Sequence, residues 1–130
     1  RELDRFLASV TVAFDEHPDD LVEAIRASAR SVLEVAPSNP LLHAVVSATH
    51  GADTELLPLL TTHAGSLLAA AKDVIAARIA PYDVDLPAAE LDTATDMVVR
   101  IVLSHVMQPS GPAEATADQI AWIAARVLGA

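Results

Sequence analysis

Cysteine is absent from the 130-residue sequence. The chain can therefore form neither a disulfide framework nor a thiolate metal site, and it has no cysteine nucleophile. Glycine and aromatic residues are also scarce, with four glycines and an aromatic content of 3%. No glycine-rich phosphate loop is present, and the few rings offer no stacking platform for single-stranded nucleic acid. Because the lack of cysteine fits a reducing compartment, we expect a cytoplasmic protein.

Positive charge and long apolar runs are limited as well. The chain has 8 basic and 18 acidic residues, and its formal net charge of -10 would repel a polyanion. The stretch VVRIVLSHVM is interrupted by Arg100 and His105 and is shorter than the roughly 20 residues that span a membrane. Residues 1–14 have the pattern of an amphipathic helix and not of a secretory signal. We therefore expect this chain by itself to bind neither nucleic acid nor a membrane.

Apolar residues recur at helical spacing along the chain, and no alternating strand pattern is visible. Asn39 and Asp85 are predicted helix caps, whereas Pro58 and Gly65 leave the fourth helix either kinked or preceded by a short turn. The first helix lacks a capping residue, so we expect it to begin upstream and the chain to be a fragment. We predict one all-α domain over residues 1–130, an antiparallel helical bundle. Its six or so helices are expected near residues 1–15, 18–33, 39–51, 54–80, 87–108 and 113–128.

The last two predicted helices have apolar or interface-type residues on two opposite faces. The core-facing residues are predicted to be Ala94, Met97, Val98, Ile101 and His105 on one helix, and Ile120, Ile123, Ala124 and Val127 on the other. The opposite faces suit a protein interface, so we predict a homodimer whose subunits each contribute these two helices to a four-helix core. The predicted interface residues are Val99, Arg100, Leu103, Met107, Trp122 and Arg126. Alternatively, the second face packs within the same chain, or Trp122 is simply exposed.

Four histidines lie in apolar helical contexts: His43, His50, His63 and His105. A metal site is conceivable, but no compact metal-binding spacing of histidines supports it. A neutral histidine hydrogen-bonded in the core, or a polar contact in a ligand cavity, accounts better for such residues. We therefore expect neither a metal nor another cofactor.

Catalytic patterns are equally weak. The candidate nucleophiles Ser47, Ser66 and Ser104 are not in a nucleophile elbow, and Asp96 and Arg100 have the i,i+4 spacing of a helix ion pair. We do not expect an enzyme. An apolar helical body with a few inward histidines instead suits a pocket for an apolar or amphipathic small molecule.

The segments DMVVRIVLSHVMQPSG and ATADQIAWIAARVLGA look like the final two helices of TetR-family bacterial transcriptional repressors. RELDRFLASVTVAFDE is similar to the long helix that connects the DNA-binding head of that family to its ligand domain. The chain thus resembles the C-terminal ligand-binding and dimerisation part of the family over nearly its full length. The N-terminal helix-turn-helix of the family is missing from this chain, so operator DNA would be contacted only through that missing domain.

The resemblance implies that a small, often hydrophobic or amphipathic effector enters the helical pocket. The connecting helix would then swing and change the spacing of the two DNA-binding heads, so that the repressor leaves its operator. The expected effector-binding residues are Phe6, Val10, Phe14, Ile25, Val46, His50, Leu60, His63, Leu67, Met97, Ile101 and His105.

Two other functions remain open from the sequence. The chain could be a free-standing acidic helical adaptor that binds another protein through the apolar faces of its last two helices. It could also be a small helical enzyme or metal carrier that uses the histidines.

Overall fold

The computed structural model describes residues 2–36 and 57–129, with side chains for residues 7–36 and 68–129. Within these ranges the chain forms five α-helices and no strand, which confirms the predicted all-α class. The predicted helix near residues 39–51 lies outside the described residues. The five helices are α1 (Glu2–Glu16), α2 (Leu21–Val35), α3 (Leu57–Ile79), α4 (Ala88–Met107) and α5 (Ala113–Leu128), and a 3-10 turn, Ala80–Tyr82, follows α3.

Local sequence signals explain where α2 and α5 begin and end. Asp20 has extended backbone angles, and its carboxylate accepts a hydrogen bond from the Glu23 N–H at 3.1 Å, so it caps α2 as its type and position suggest. Gly129 adopts the left-handed conformation with φ of 70° and ends α5, a conformation that costs glycine little.

Prolines set the starts of α3 and α4. Pro58 lies in the first turn of α3, where a backbone N–H has no partner within the helix, so the helix continues through Gly65 without interruption. Pro87, and not the predicted Asp85, is the cap of α4, and its carbonyl accepts a hydrogen bond from the Leu91 N–H at 2.9 Å. The start of α4 is therefore one residue later than predicted, whereas the predicted start near residue 54 lies outside the described residues.

Helix α2 lies at the centre of the described fold and packs against α1, α4 and α5. Its partner α5 has small buried residues that allow a close approach of the two helices: Ala117, Ala121 and Ala124, each at most 1% exposed. An ion pair between Arg26 of α2 and Asp118 of α5 spans the edge of this contact. None of the helices in the described ranges is both long enough and apolar enough to cross a lipid bilayer.

The buried face of α4 differs from the predicted one. It comprises Ala94, Thr95, Val98, Val99 and Val106. Met97, which was predicted to face the core, is 54% exposed. That prediction was wrong because α4 contacts α2, α3 and α5 together, so its buried stripe is broad and rotated away from Met97.

The core face of α5 also differs at one predicted position. Ile120 and Ala124 are buried as predicted, and Leu128 completes the buried stripe. Val127 was predicted to share this face but is 47% exposed. The buried stripe of α5 is centred on Ala117, Ala121 and Ala124 and continues to Leu128, so Val127 lies beyond its edge and is exposed.

Candidate ligand-binding site

An apolar cavity of about 50 Å³ lies among helices α1, α2, α3 and α4. Each of these helices supplies three or four lining side chains, and α5 supplies none of the lining among the described residues. All but one of these side chains are hydrocarbons, the exception being Ser28. The lining comprises Leu7, Val10, Phe14, Ile25, Ser28, Ala29, Val32, Ala71, Val74, Ile75, Val98, Val99, Val102 and Leu103.

The volume of the cavity limits what it can hold without a change in packing. An engineered apolar cavity of about 150 Å³ holds one benzene molecule, about three times the volume present here. A ligand with more than a few carbon atoms would therefore have to displace lining side chains or extend out of the cavity.

Ser28 is the polar exception in the lining. It is 6% exposed, and its hydroxyl has no hydrogen-bond partner among the described residues. A buried helical hydroxyl usually bonds back to a carbonyl one turn earlier, as Thr95 does with the Leu91 carbonyl at 2.9 Å. An unpaired buried hydroxyl is unfavourable by roughly 1 to 3 kcal/mol, and the Ser28 oxygen has almost no surface that a molecule in the cavity could reach in this packing.

The predicted effector-binding residues are only partly brought together. Val10, Phe14 and Ile25 line the cavity. Ile101 and His105 are partly buried but do not line it, and Met97 is exposed. The remaining predictions lie outside the described side chains: Phe6, Val46, His50, Leu60, His63 and Leu67.

Two residues predicted for the dimer interface lie on the cavity instead of on an outer face. Val99 is 5% exposed, and both Val99 and Leu103 line the cavity together with Val98 and Val102. Val98 and Val99 lie one helical turn before Val102 and Leu103, so the four residues cover a broad arc of the α4 surface. Other helices of the same chain surround this arc, as in the alternative prediction that the second face packs within the chain.

The other predicted interface residues lie nearer the surface. Trp122 is 61% exposed, and the Arg126 guanidinium lies 5.0 Å from the centroid of its ring, within the range of a cation–π interaction. Arg100 is also exposed, and Met107 is partly buried. Together with the exposed Met97, these residues leave apolar surface on α4 and α5 that no described part of the chain covers.

A charged cluster connects α3 to α4 beside the cavity. The Lys72 ammonium lies 3.6 Å from Asp92 and 3.4 Å from Asp96, and the Arg100 Nε donates to Asp96 at 2.7 Å. The predicted pairing of Asp96 with Arg100 is therefore confirmed. The hydrogen bond from Arg100, assisted by Lys72, holds the pKa of Asp96 below its ordinary value although desolvation opposes this.

Tyr82 fixes the C-terminal end of α1. Its hydroxyl donates to the His17 carbonyl at 2.6 Å and lies 3.4 Å from the Phe14 carbonyl, while its ring meets the Phe14 ring edge-on at 6.1 Å. Burial, followed by the charges of Asp19 and Asp15 and of Asp20, raises the pKa of the Tyr82 phenol. Tyr82, which lies in the connection between α3 and α4, therefore helps to position Phe14, and Phe14 lines the cavity.

Sequence reasoning missed several lining residues, including Ser28 and Val102. A signal for Ser28 was available, because it lies three residues after Ile25 and four before Val32, on the same face of α2. Being polar, Ser28 was not included in the apolar stripe. Val102 could not be selected, because the sequence does not show which neighbours surround α4.

The described residues form an all-α domain with an apolar cavity among four of its helices. Residues 20–126 match the family model described as the bacterial Tetracyclin repressor, C-terminal domain, and the chain therefore belongs to the TetR family as one of its C-terminal domains. Members of this family are transcription regulators that act as dimers, bind small-molecule effectors and contact DNA through an N-terminal domain. The chain matches no curated protein and no solved structure.

Proposed function

We propose that this chain is the effector-binding and dimerisation domain of a cytoplasmic TetR-like repressor, and that a small hydrophobic or amphipathic effector binds in the cavity among α1 to α4. The main support is that α1 itself lines the cavity, through Leu7, Val10 and Phe14. This helix precedes the segment that matches the family model. An effector in the cavity would thus touch the helix that leads towards the DNA-binding domain.

The proposed mechanism follows from the small cavity and the fixed end of α1. An effector too large for about 50 Å³ binds better to a packing in which the surrounding helices are farther apart, so it shifts the population towards that packing. Tyr82 holds the C-terminal end of α1, and the opposite end therefore moves more. The spacing of the two DNA-binding domains of a dimer would change, and the parent protein would leave its operator.

We further propose that the homodimer interface uses the exposed parts of α4 and α5. Met97, Arg100, Trp122 and Arg126 are the proposed contacts on these surfaces, with Met107 at the edge. Exposed tryptophan and arginine are common in the centres of protein interfaces. Val99 and Leu103 are assigned to the cavity because they line it.

A thermal-shift screen of fatty acids, steroids and aromatic drugs tests the effector site, with the variant Ala71→Leu as the probe of location. Ala71 is 8% exposed and lines the cavity, so the larger side chain would occupy the space of the ligand. A compound bound there should raise Tm of the wild-type chain and lose most of that effect in Ala71→Leu. Ala76→Leu, an exposed position on the same helix, is the matched control and should retain the shift.

Two results would contradict the proposed site. A screen without any stabilising compound would remove the support for an effector-binding domain. A compound whose thermal shift is equal in the wild type and in Ala71→Leu would bind elsewhere. The release step is tested separately in the parent protein, where the same compound should weaken binding to its operator.

The adaptor remains the second candidate, because Trp122 is 61% exposed and its neighbour Arg126 is positioned over its ring. On this alternative, the same surface binds a different protein and the chain is monomeric. The two proposals therefore differ in the oligomeric state of the purified chain.

A further inference from the structure

We infer that the effector has an aliphatic body with one neutral hydrogen-bonding oxygen, a hydroxyl or a carbonyl, and that this oxygen binds the Ser28 hydroxyl. The inference rests on the proposed function, since it specifies the ligand class of the same cavity. The observation behind it is the buried Ser28 hydroxyl, which has no partner among the described residues and belongs to a residue of the otherwise hydrocarbon lining. The hydroxyl oxygen has almost no free surface in this packing, so the ligand would reach it only when the surrounding helices lie farther apart, as the proposed function requires.

The unpaired hydroxyl favours one polar atom on the ligand. A serine hydroxyl can donate to a carbonyl oxygen or accept from an alcohol, so either group would pair it. A purely apolar ligand would leave it unpaired, as it is in the ligand-free chain, whereas a ligand with one such oxygen would gain a hydrogen bond. Ser28 is therefore proposed to determine specificity.

The surroundings of Ser28 favour a neutral oxygen over a carboxylate. No charged side chain is among the described lining residues, and an unpaired charge in an apolar cavity is strongly unfavourable. Lys72 is next in sequence to the lining residue Ala71, but its ammonium lies close to Asp92 and Asp96. The described lining thus offers no cation for an acidic ligand.

The rest of the lining favours an aliphatic body. Phe14 is the single aromatic residue among the described lining, and the other apolar residues are valine, leucine, isoleucine and alanine. Such side chains provide dispersion contacts without the ring stacking that favours aromatic ligands. Six-carbon compounds of matched shape are consequently suitable probes.

The test is calorimetric titration of the 130-residue chain with 1-hexanol, 2-hexanone, 1-chlorohexane and hexanoate. The wild type should bind the alcohol and the ketone roughly five- to tenfold more tightly than Ser28→Ala binds them, and hexanoate more weakly than the alcohol. The affinity for 1-chlorohexane should be nearly the same in the wild type and in Ser28→Ala. Ser31→Ala, a partly buried serine on α2 that does not line the cavity, is the matched control and should behave as the wild type.

The stability of the ligand-free variant gives a second readout. Because Ser28→Ala removes an unpaired buried hydroxyl, its Tm should be higher than that of the wild type. A lower Tm would mean that the hydroxyl is already paired, by water for example, and would overturn the inference.

The titrations separate failure of this inference from failure of the proposed function. An affinity for the alcohol and the ketone that is equal in the wild type and in Ser28→Ala, or tightest binding of hexanoate, would overturn the role of Ser28 and leave an effector site. Binding of none of the four probes would also contradict the inference. The wider thermal-shift screen, with Ala71→Leu as the probe of location, then decides whether the proposed function fails too.

Discussion

The single tyrosine of the chain joins segments that are 65 residues or more apart in sequence. The Tyr82 hydroxyl donates to the carbonyl of His17, the first residue after α1, and lies 3.4 Å from the Phe14 carbonyl in the last turn of that helix. Its ring contacts the ring of Phe14, and Phe14 also lines the cavity. At the scale of one residue, Tyr82 therefore contributes to stability and to the position of a lining side chain.

Replacing Tyr82 with phenylalanine should reduce the free energy of unfolding by about 1 to 2 kcal/mol, because the ring remains but the His17 carbonyl loses its short hydrogen bond. Urea denaturation followed by circular dichroism measures this change. Thr93→Ala removes a hydrogen bond of 3.1 Å at an exposed position and should have a much smaller effect. Equal stability of Tyr82→Phe and the wild type would show that the phenol contributes no net stabilisation.

The raised pKa of Tyr82 predicts a loss of stability at alkaline pH. The folded chain holds the phenolic proton more strongly than the unfolded chain, whose tyrosine has the ordinary pKa of 10.0. Above that pH the unfolded state binds fewer protons, so the free energy of unfolding falls as pH rises towards the folded pKa. Denaturation at pH 8, 9, 10 and 10.5 should show that the stability difference between wild type and Tyr82→Phe decreases with pH. A difference that stays constant would contradict the pKa shift.

At the scale of helices, the sequence predicted the elements better than their orientation. Periodicity located all five described helices, because it depends on neighbours within one segment. The rotation of α4 was not predictable, since α4 contacts three helices and the helical wheel contains no information about them. For this reason Val99 and Leu103 were assigned to a partner subunit, although a second apolar face can equally be covered by other helices of the same chain.

The contact between α2 and α5 should be sensitive to side-chain size. Ala124 is fully buried on α5, and a leucine there would force the helices apart, with an expected loss of about 1 to 3 kcal/mol in the free energy of unfolding. Ala115→Leu is the matched control, because Ala115 is exposed on the same helix. Thermal and chemical denaturation of both variants measures the difference. Similar stability of Ala124→Leu and Ala115→Leu would mean that the two helices are not closely packed.

At the scale of the whole molecule, we propose that a second copy of the chain covers the exposed side chains of Met97 and Trp122. We expect a dimer by light scattering at micromolar concentration, and we expect Met97→Asp combined with Trp122→Ala to give a monomer. Val12→Asp changes a residue of similar exposure on α1 and should leave the dimer intact. A wild-type chain that is monomeric throughout the concentration range would favour the adaptor instead.

Family membership and fold class could be predicted from the sequence, because both follow from patterns along the chain. The cavity does not follow from such a pattern. The helical pattern and the likeness to TetR-family C-terminal domains extend over most of the chain, and residues 20–126 confirm the family. The cavity instead forms where residues from four helices meet, between Leu7 and Leu103. Three of its residues were predicted, namely Val10, Phe14 and Ile25, because the apolar residues of α1 and α2 lie on one clear inward face of each helix.

On the proposed mechanism α1 acts as a lever whose fulcrum lies near Phe14 and His17, where Tyr82 holds the helix. Its 15 residues extend over roughly 20 Å at about 1.5 Å per residue, so a tilt of ~10° about that fulcrum displaces the far end by about 4 Å. The lining residues Leu7 and Val10 lie part of the way along the lever. A displacement of 1 to 2 Å at the effector, on the order of a methyl group, would thus be roughly doubled at the N-terminal end of α1.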